Sequence, residues 1–480
     1  MNEIKRNNSI PLCVDLDGTL IKTDSILEAT LLAIKQKPLV LFMLFFWILK
    51  GKNYFKSHIL ALAKPDAELF PYNQNVIDII KSAKNEERYI VLTTASLESV
   101  ANDVNKYTGL FDELIFSTEN HNNRSENKSK TLNEKFGKGQ YDYMGNSSAD
   151  LDVFENCRNA YLISNDKSLI NKATKANSNL TVLEAEGHFF KHLIKEMRIY
   201  QWVKNLLIFL PFLLAHEFTD ITAITNSIIA FFCFSFTASF IYIVNDLLDL
   251  ESDRIHKKKR NRPFAAGVLN PIQAFLISLI LMFISFTVSI FYLPNDFAWI
   301  LLLYLIITTL YSVYLKKIVI ADIITLAVLY SIRIVAGGEI TKLPLSKWLI
   351  AFSLFIFFSL AIIKRYTELK NLIKQNKTKA KGRGYETDDI KLLLTLGTSS
   401  GYLSVLIFLL YIFSPEVAVL YHNPLWLIPV SVLLLAWITR MWFKAFRGEM
   451  DEDPVVYTVK DSFSYVLFGL MILFIVGAML

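Results

Sequence analysis

Apolar and polar positions divide the chain into two unlike stretches. From about residue 205 onward, apolar runs alternate with short charged loops, near 205–217, 224–244, 272–293, 297–315, 318–336, 348–363, 393–413, 424–442 and 463–480. Several approach the ~20 residues a helix needs to cross a bilayer and others are shorter, which predicts about nine membrane helices. Alternate loops carry the cations: Lys257–Arg262, Lys316–Lys317, Lys364–Arg383 and Arg440–Arg447. The intervening loops have few. By the positive-inside rule this predicts a multi-pass protein of the cytoplasmic (inner) membrane, N-terminus inside and C-terminus outside.

The preceding residues follow another rhythm. Short apolar runs at Ile10–Val14 and Tyr89–Leu92 end in polar residues and alternate with helical segments, which predicts a doubly wound α/β domain with a helical cap at about 25–85. Inside that cap, Pro38–Leu49 is almost wholly apolar and is flanked by Lys35, Lys37, Lys50 and Lys52. It is short for a span. Two readings stay open: a buried cap helix, or a helix lying in the membrane interface with its lysines at headgroup level. His188–Arg198 reads as an amphipathic segment joining the domains. The expected organisation is an α/β domain at 1–190, an interfacial linker helix at 191–203, and an all-α polytopic membrane domain at 204–480.

Composition agrees with this division. The chain has 480 residues, 53% of them hydrophobic, while 20% are charged and concentrate in the first domain and the loops. The net charge of +6 lies beside apolar segments, which fits membrane loops and argues against nucleic-acid binding. Cys13, Cys157 and Cys233 are too scattered for a metal site or a disulfide framework. The polar start Met1–Ser9 does not read as a cleavable leader. No internal repeat is visible, and the Asn/Lys-rich stretches 121–135 and 370–381 read as surface loops.

The candidate chemistry begins where an apolar run ends, at Asn245-Asp246-Leu247-Leu248-Asp249, followed by Asp253-Arg254 and a basic run to Arg262. On a continuous helix Asp246, Asp249 and Asp253 share one face. Three carboxylates there would repel one another without a cation, and Mg²⁺ carrying a diphosphate suits such oxygen ligands. Lys259 and Arg262 are placed to hold the remaining phosphate charge. A solvated loop would explain the cations but not the spaced acids. Arg333 lies inside an apolar run that Asp322 opens, where a charge faces a cavity or an ion-pair partner. Tyr311, Ser312 and Lys316 end the preceding run, and Lys364-Arg365-Tyr366-Thr367-Glu368 ends a later one. The last cation-side loop, Arg447–Tyr457, is acidic, and its role stays open.

From about Trp202 onward the chain resembles the UbiA superfamily of intramembrane prenyltransferases. The residues that carry the resemblance are Gln201-Trp202-Val203-Lys204-Asn205, the NDxxDxxxD motif at Asn245–Asp253, and Tyr311-Ser312. It implies nine helices around a cavity open to the cytoplasm, with Mg²⁺–diphosphate held between two acidic motifs. The second motif departs: Lys364-Arg365-Tyr366-Thr367-Glu368 offers one acid and two cations. Such cations can hold phosphate oxygens without a second metal. With the terminal Asp453–Asp461 stretch, the set looks like the decaprenyl-phosphate phosphoribosyltransferase branch. That branch moves 5-phosphoribose from phosphoribosyl pyrophosphate (PRPP) to a polyprenyl phosphate. The resemblance implies Mg²⁺ on Asp246, Asp249 and Asp253, Asp249 as a catalytic residue, and substrate contacts from Lys204, Asn205, Asn245, Lys259, Arg262, Tyr311, Lys316, Arg333, Lys364, Arg365 and Glu368.

The first domain carries an independent signature. Asp15-Leu16-Asp17-Gly18-Thr19, after a buried run, resembles the haloacid dehalogenase (HAD) phosphatases, and the later motifs follow in order: Thr93–Ser96, Lys128, and Gly145–Asp150. The resemblance implies Asp15 as nucleophile, Asp17 as acid and base, a hydroxyl such as that of Thr94 on the phosphoryl group, and Lys128 offsetting the charge. Mg²⁺ would be held by Asp15, Asp17, Asn146 and Asp150; Asn146 stands where many members have Asp, one charge poorer. Together the halves would make a lipid-linked phosphoribose and remove its 5-phosphate. The alternatives are an aromatic prenyltransferase using a prenyl diphosphate, and a non-catalytic membrane protein or transporter with a regulatory HAD domain. The expected partners are the lipid bilayer, a polyprenyl phosphate and PRPP or another diphosphate; a homo-oligomer stays open.

Overall fold

The computed structural model describes residues 10–118, 122–184, 187–216, 219–343, 345–379, 382–450 and 453–480. The polar start, Asp451 and Glu452 of the acidic loop, and short pieces of the other loops and the linker read above lie outside them. The chain forms two compact units, one of 1–196 with 243–274 and one of 197–242 with 275–480.

The first unit is built on a six-stranded sheet: β1 (Leu12–Val14), β2 (Ile90–Leu97), β3 (Glu113–Ser117), β4 (Asp142–Gly145), β5 (Ala160–Ile163) and β6 (Leu180–Leu183). All pairs are parallel, in the order β3-β2-β1-β4-β5-β6. Successive β1 side chains point to opposite faces: Leu12 and Val14 join one apolar core and Cys13 the other. Both faces are covered, so central strands read as continuous apolar runs. This is the doubly wound α/β architecture expected of a HAD-like domain. The cap begins with α1 (Ser25–Gln36), whose N-cap Asp24 accepts from the Ile26 and Leu27 amides, and continues with α2 (Val40–Leu49) and α3 (Lys52–Leu62).

α2 is not the buried cap helix that one reading allowed. Only Val40 of this helix is buried, and most of its large apolar side chains are exposed. Val40 belongs to the neighbouring core, and Leu44 and Trp47 pack against it.

The stretch 243–274 packs as part of this first unit. The Arg254 guanidinium donates two 2.7 Å hydrogen bonds to the Glu28 carboxylate on α1 and one of 3.0 Å to the Ala265 carbonyl. Gly267, at φ +70°, lies so close to Lys22 and Pro71 that an added Cβ would meet them at 2.8–2.9 Å.

The second unit is helical. Among the described residues, eight helices of the chain are long and apolar enough to cross a membrane: Ile221–Leu248, Pro271–Tyr292, Asn295–Val313, Ala321–Thr341, Lys347–Ile373, Thr387–Ile412, Pro424–Arg447 and Ser462–Met479. The expectation of about nine is corrected at the first apolar run. There the chain forms a 3₁₀ stretch, Ile199–Phe209, and a short helix, Leu210–Leu214, with Pro211 at its start. Proline lacks the amide that would continue the preceding helix. The expected continuous linker helix is likewise interrupted: Phe189–Glu196 ends before Arg198, which adopts φ +53°. Glycine lets helices approach closely, as at Gly397, where a Cβ would collide with the Trp442 ring.

Candidate active sites

The first centre sits where the sheet's strands end, because each strand delivers its polar motif there. Asp15 follows β1, Thr94 and Ser96 lie in the last half of β2, and Asn146–Asp150 follows β4. Lys128, on the helix Glu126–Phe136, donates to Asp15 Oδ1 at 2.7 Å and lies 3.8 Å from Asp150 Oδ1. Tyr143 donates to Asp150 at 2.7 Å and accepts from Lys128 at 3.0 Å. Asp17 accepts from the Ser25 amide (2.7 Å) and the Ser96 hydroxyl (2.8 Å). Gly18 at φ +76° turns the backbone under the Asn146 side chain, a position no Cβ could share.

Burial raises both Asp15 and Asp17 above the ordinary carboxylate range; Lys128 works against this at Asp15, and Asp24 adds to it at Asp17. Lys128 loses by burial, but the surrounding Asp15 and Asp150 hold it protonated. The centre therefore has more acid than Lys128 neutralises, and Lys56, which donates to the Ala95 carbonyl at 2.6 Å, adds positive charge near Asp17. The Thr94 hydroxyl is already engaged, accepting from the Ser96 amide at 2.9 Å. Sequence reasoning passed over Tyr143 and Ser25, which carry no motif signal of their own.

The acid face of Asn245–Asp253 is not the single surface expected. The helix Ile221–Leu248 ends one residue before Asp249, which has φ −102° and ψ 13° and caps the short helix Leu250–Ile255. The interruption breaks the helical spacing. Asp246 and Asp253 still converge, both accepting from the Arg262 Nη1, at 2.9 and 2.5 Å. Asp249 instead pairs with Lys35 of α1 at 2.9 Å. Lys259 stands 3.8 Å from Asp253, whose carboxyl is raised by burial in spite of both cations. Asn245 precedes this pair within the long helix.

In the second unit Lys204 and Lys364 converge on one carboxylate. Both donate to Asp453 Oδ2, at 2.7 and 2.8 Å, while the Tyr330 hydroxyl lies 3.2 Å from Oδ1. Burial alone would raise Asp453, but the two ammoniums hold it far below the usual range. Asn205 and Arg333 are tied together: Arg333 Nε donates to Asn205 Oδ1 at 2.7 Å and Nη2 to the Tyr304 hydroxyl at 3.2 Å.

Arg365 is buried elsewhere. It donates to Asp322, to Glu368 at 2.6 Å and to the Tyr311 hydroxyl at 2.9 Å, and Arg383 adds a 3.0 Å bond to Glu368. Tyr311, Arg365 and Glu368 thus form a closed ion-pair network around Asp322. Lys316 lies in the short turn Leu315–Lys317 beyond it. Asp453 was legible as the start of the terminal stretch that carries the resemblance, but not as the partner of both lysines.

Among the described residues, no three His, Cys, Asp or Glu side chains gather as a ready metal site. Two pairs of carboxylates nonetheless fit a divalent cation by donor chemistry: Asp15 with Asp150, and Asp246 with Asp253. Each pair surrounds one protein cation, Lys128 or Arg262, which marks where positive charge is needed.

The family model "UbiA prenyltransferase family" matches residues 206–476. The chain belongs to the UbiA prenyltransferase family. An uncharacterised protein, y4nM of Sinorhizobium fredii, is 34% identical over 467 residues, covering 97% of this chain and 90% of that protein. The decaprenyl-phosphate phosphoribosyltransferase of Mycobacterium tuberculosis is 34% identical over 192 residues, covering 39% of this UbiA member and 63% of that protein. A solved structure described as a phospho-aspartyl intermediate analogue of phosphoserine phosphatase aligns over 39% of this chain and 98% of that one, with 13% identity and a TM-score of 0.26. As a member of the UbiA prenyltransferase family that also carries a parallel α/β domain, the protein is a multi-pass membrane enzyme.

Proposed function

We propose that the UbiA domain transfers 5-phosphoribose from PRPP to a polyprenyl phosphate, and that the HAD-like domain removes the 5-phosphate from the lipid-linked product. The observation that carries this reading is the convergence of Lys204 and Lys364 on Asp453. Two ammoniums around one carboxylate leave a surplus positive charge, which suits a phosphate and not a second metal. The acid of the second motif supports the same reading, because Glu368 is neutralised by Arg365 and Arg383. An aromatic prenyltransferase would need acids at that place for a second Mg²⁺. The similarity to the mycobacterial phosphoribosyltransferase points the same way.

In the transfer, the bond from ribose C1 to the diphosphate oxygen breaks and a bond from C1 to a lipid phosphate oxygen forms. Asp246 and Asp253 would hold Mg²⁺, which when bound neutralises the departing diphosphate. Arg262 and Lys259 stand beside them for the same charge. In the phosphatase step Asp15 would attack phosphorus and Asp17 would protonate the leaving ribose oxygen, then take a proton from the hydrolytic water. Its raised proton affinity suits an acid. Lys128 would offset the charge, and Asp15 and Asp150 would hold the Mg²⁺. The cation-rich loops support a topology with the N-terminal unit on the cytoplasmic side of the cytoplasmic membrane.

The test is a transfer assay with PRPP labelled in the ribose, polyprenyl phosphate, Mg²⁺ and membranes containing the full chain. Label is expected to enter organic solvent, to stop doing so with EDTA, and to be lost in Asp246→Asn and Lys364→Met. Asp15→Asn is expected to accumulate the phosphorylated lipid. Folded wild-type protein that moves no label into lipid would overturn the PRPP reading.

A further inference from the structure

We infer that α2 of the cap is a membrane-embedded anchor: its apolar surface enters the lipid interface, and its flanking lysines meet anionic headgroups. The helix is Val-Leu-Phe-Met-Leu-Phe-Phe-Trp-Ile-Leu, with no polar residue from Val40 to Leu49. A helix that is apolar all round belongs in a core or in lipid. This one has no core around it. Phe42 is 71% exposed, Phe45 65% and Leu49 70%, with Leu41, Phe46 and Ile48 exposed as well. Its hold on the protein comes through Val40, Leu44 and Trp47, which pack inward at i, i+4 and i+7. Trp47 also lies against His58 of α3, with ring centroids 5.5 Å apart. The helix is thus docked along one narrow stripe with its wider surface uncovered.

A second, independent contact says what covers it. Lys35, in the last turn of α1, pairs with Asp249 at 2.9 Å, and Asp249 directly follows the membrane helix Ile221–Leu248. The end of α1 is therefore pinned to a membrane–water boundary. The five-residue step from Lys35 to Val40 reaches at most about 17 Å even when extended. Here it is a tight turn, with the Val40 amide bonded to the Lys37 carbonyl at 2.9 Å. α2 accordingly starts at interface level.

Ten residues make about 15 Å of helix, too little to span a bilayer and suited to lying within one leaflet. Lys37, Lys50 and Lys52 are exposed at its two ends, where a cationic collar meets anionic headgroups. The inference is independent of the reaction proposed above.

Depth measurement in the full chain tests it. Nitroxides are placed at Phe42→Cys and Phe45→Cys, with Lys130→Cys, on the exposed face of the helix Glu126–Phe136, as the aqueous reference. The native Cys13, Cys157 and Cys233 are buried. The protein is reconstituted in vesicles of phosphatidylcholine and phosphatidylglycerol, and collisions with oxygen and with a soluble nickel chelate are compared. The expected result is oxygen preference at 42 and 45 and nickel preference at 130. Nickel preference at all three sites overturns the anchor. Exclusion of nickel accompanied by spin–spin broadening that grows with the protein-to-lipid ratio also overturns it, and identifies a second copy as the cover. Combined Lys37→Gln, Lys50→Gln and Lys52→Gln is expected to make the labels shallower; unchanged depth overturns the headgroup part.

Discussion

In the α/β unit, the buried carboxylates of Asp15 and Asp150 flank the ammonium of Lys128, with the half-buried Asp17 beside them. In the membrane unit, the ammoniums of Lys204 and Lys364 share the single carboxylate of Asp453. Both centres bury charge at a cost that only close pairing offsets. They resolve it with opposite surpluses, and the surplus selects the ligand. Excess acid suits a divalent cation and an attacking carboxylate; excess cation suits a phosphate group. The difference also explains why the two halves divided in legibility. An acid-rich loop after a strand is a contiguous motif, whereas a lysine–lysine–aspartate cluster is assembled from distant positions.

The largest expected effect lies in the acid-rich centre. Replacing the nucleophile in Asp15→Asn should lower phosphate-ester hydrolysis by about 10⁴-fold or more, as loss of a covalent nucleophile does elsewhere. Label transfer to lipid in the same membranes should persist, since the cation-rich centre is untouched. A loss of both activities would break the separation of the two centres.

Next comes the cation-rich centre. Lys364→Met and Lys204→Met should each lower kcat/KM for transfer by about 10²–10³-fold, the scale of losing one preorganised charge partner. Hydrolysis by the α/β unit should not follow. A comparable loss in Lys377→Met, an exposed lysine beyond the same helix, would show that general cationic charge is enough.

Asp453→Asn sharpens the comparison through stability. Removing one partner of a buried ion cluster costs about 3–5 kcal/mol. A fall in Tm of the detergent-solubilised protein is expected, partly restored by inorganic phosphate, which would settle between the two freed ammoniums. A Tm unaffected by phosphate would argue against a phosphate site there.

The smallest effect is expected at Glu28→Gln. The Arg254 guanidinium keeps its bond to the Ala265 carbonyl and one amide oxygen, so the loss is about 2 kcal/mol, the scale of a hydrogen bond to a charged group. Because Arg254 follows Asp253, faster hydrogen exchange is expected across 245–262. Unchanged exchange there would show that the cap does not steady the acidic motif.

Much of this was readable in the residues alone. The parallel α/β unit follows from short, wholly apolar strands that each end in a polar motif, and eight spans follow from run length and hydropathy. The first apolar run misled because Pro211 and the 3₁₀ stretch before it are invisible to a count of apolar residues. The acid face misled for a related reason. Placing Asp246, Asp249 and Asp253 on one surface assumes an unbroken helix, and the chain stops its helix at Leu248, turning Asp249 toward Lys35.

The sequence by itself determined which groups bear chemistry and in what order along the chain, since motif spacing and hydropathy are local properties. The tertiary structure alone decided which charges meet. Asp453 lies 249 positions from Lys204 and 89 from Lys364, and no periodicity links such residues. It likewise decided that Arg365 is closed in an ion-pair network and that α2 stands uncovered. Pairing and exposure depend on how distant segments pack, and the free energy of a buried charge is set by the neighbours that folding brings to it.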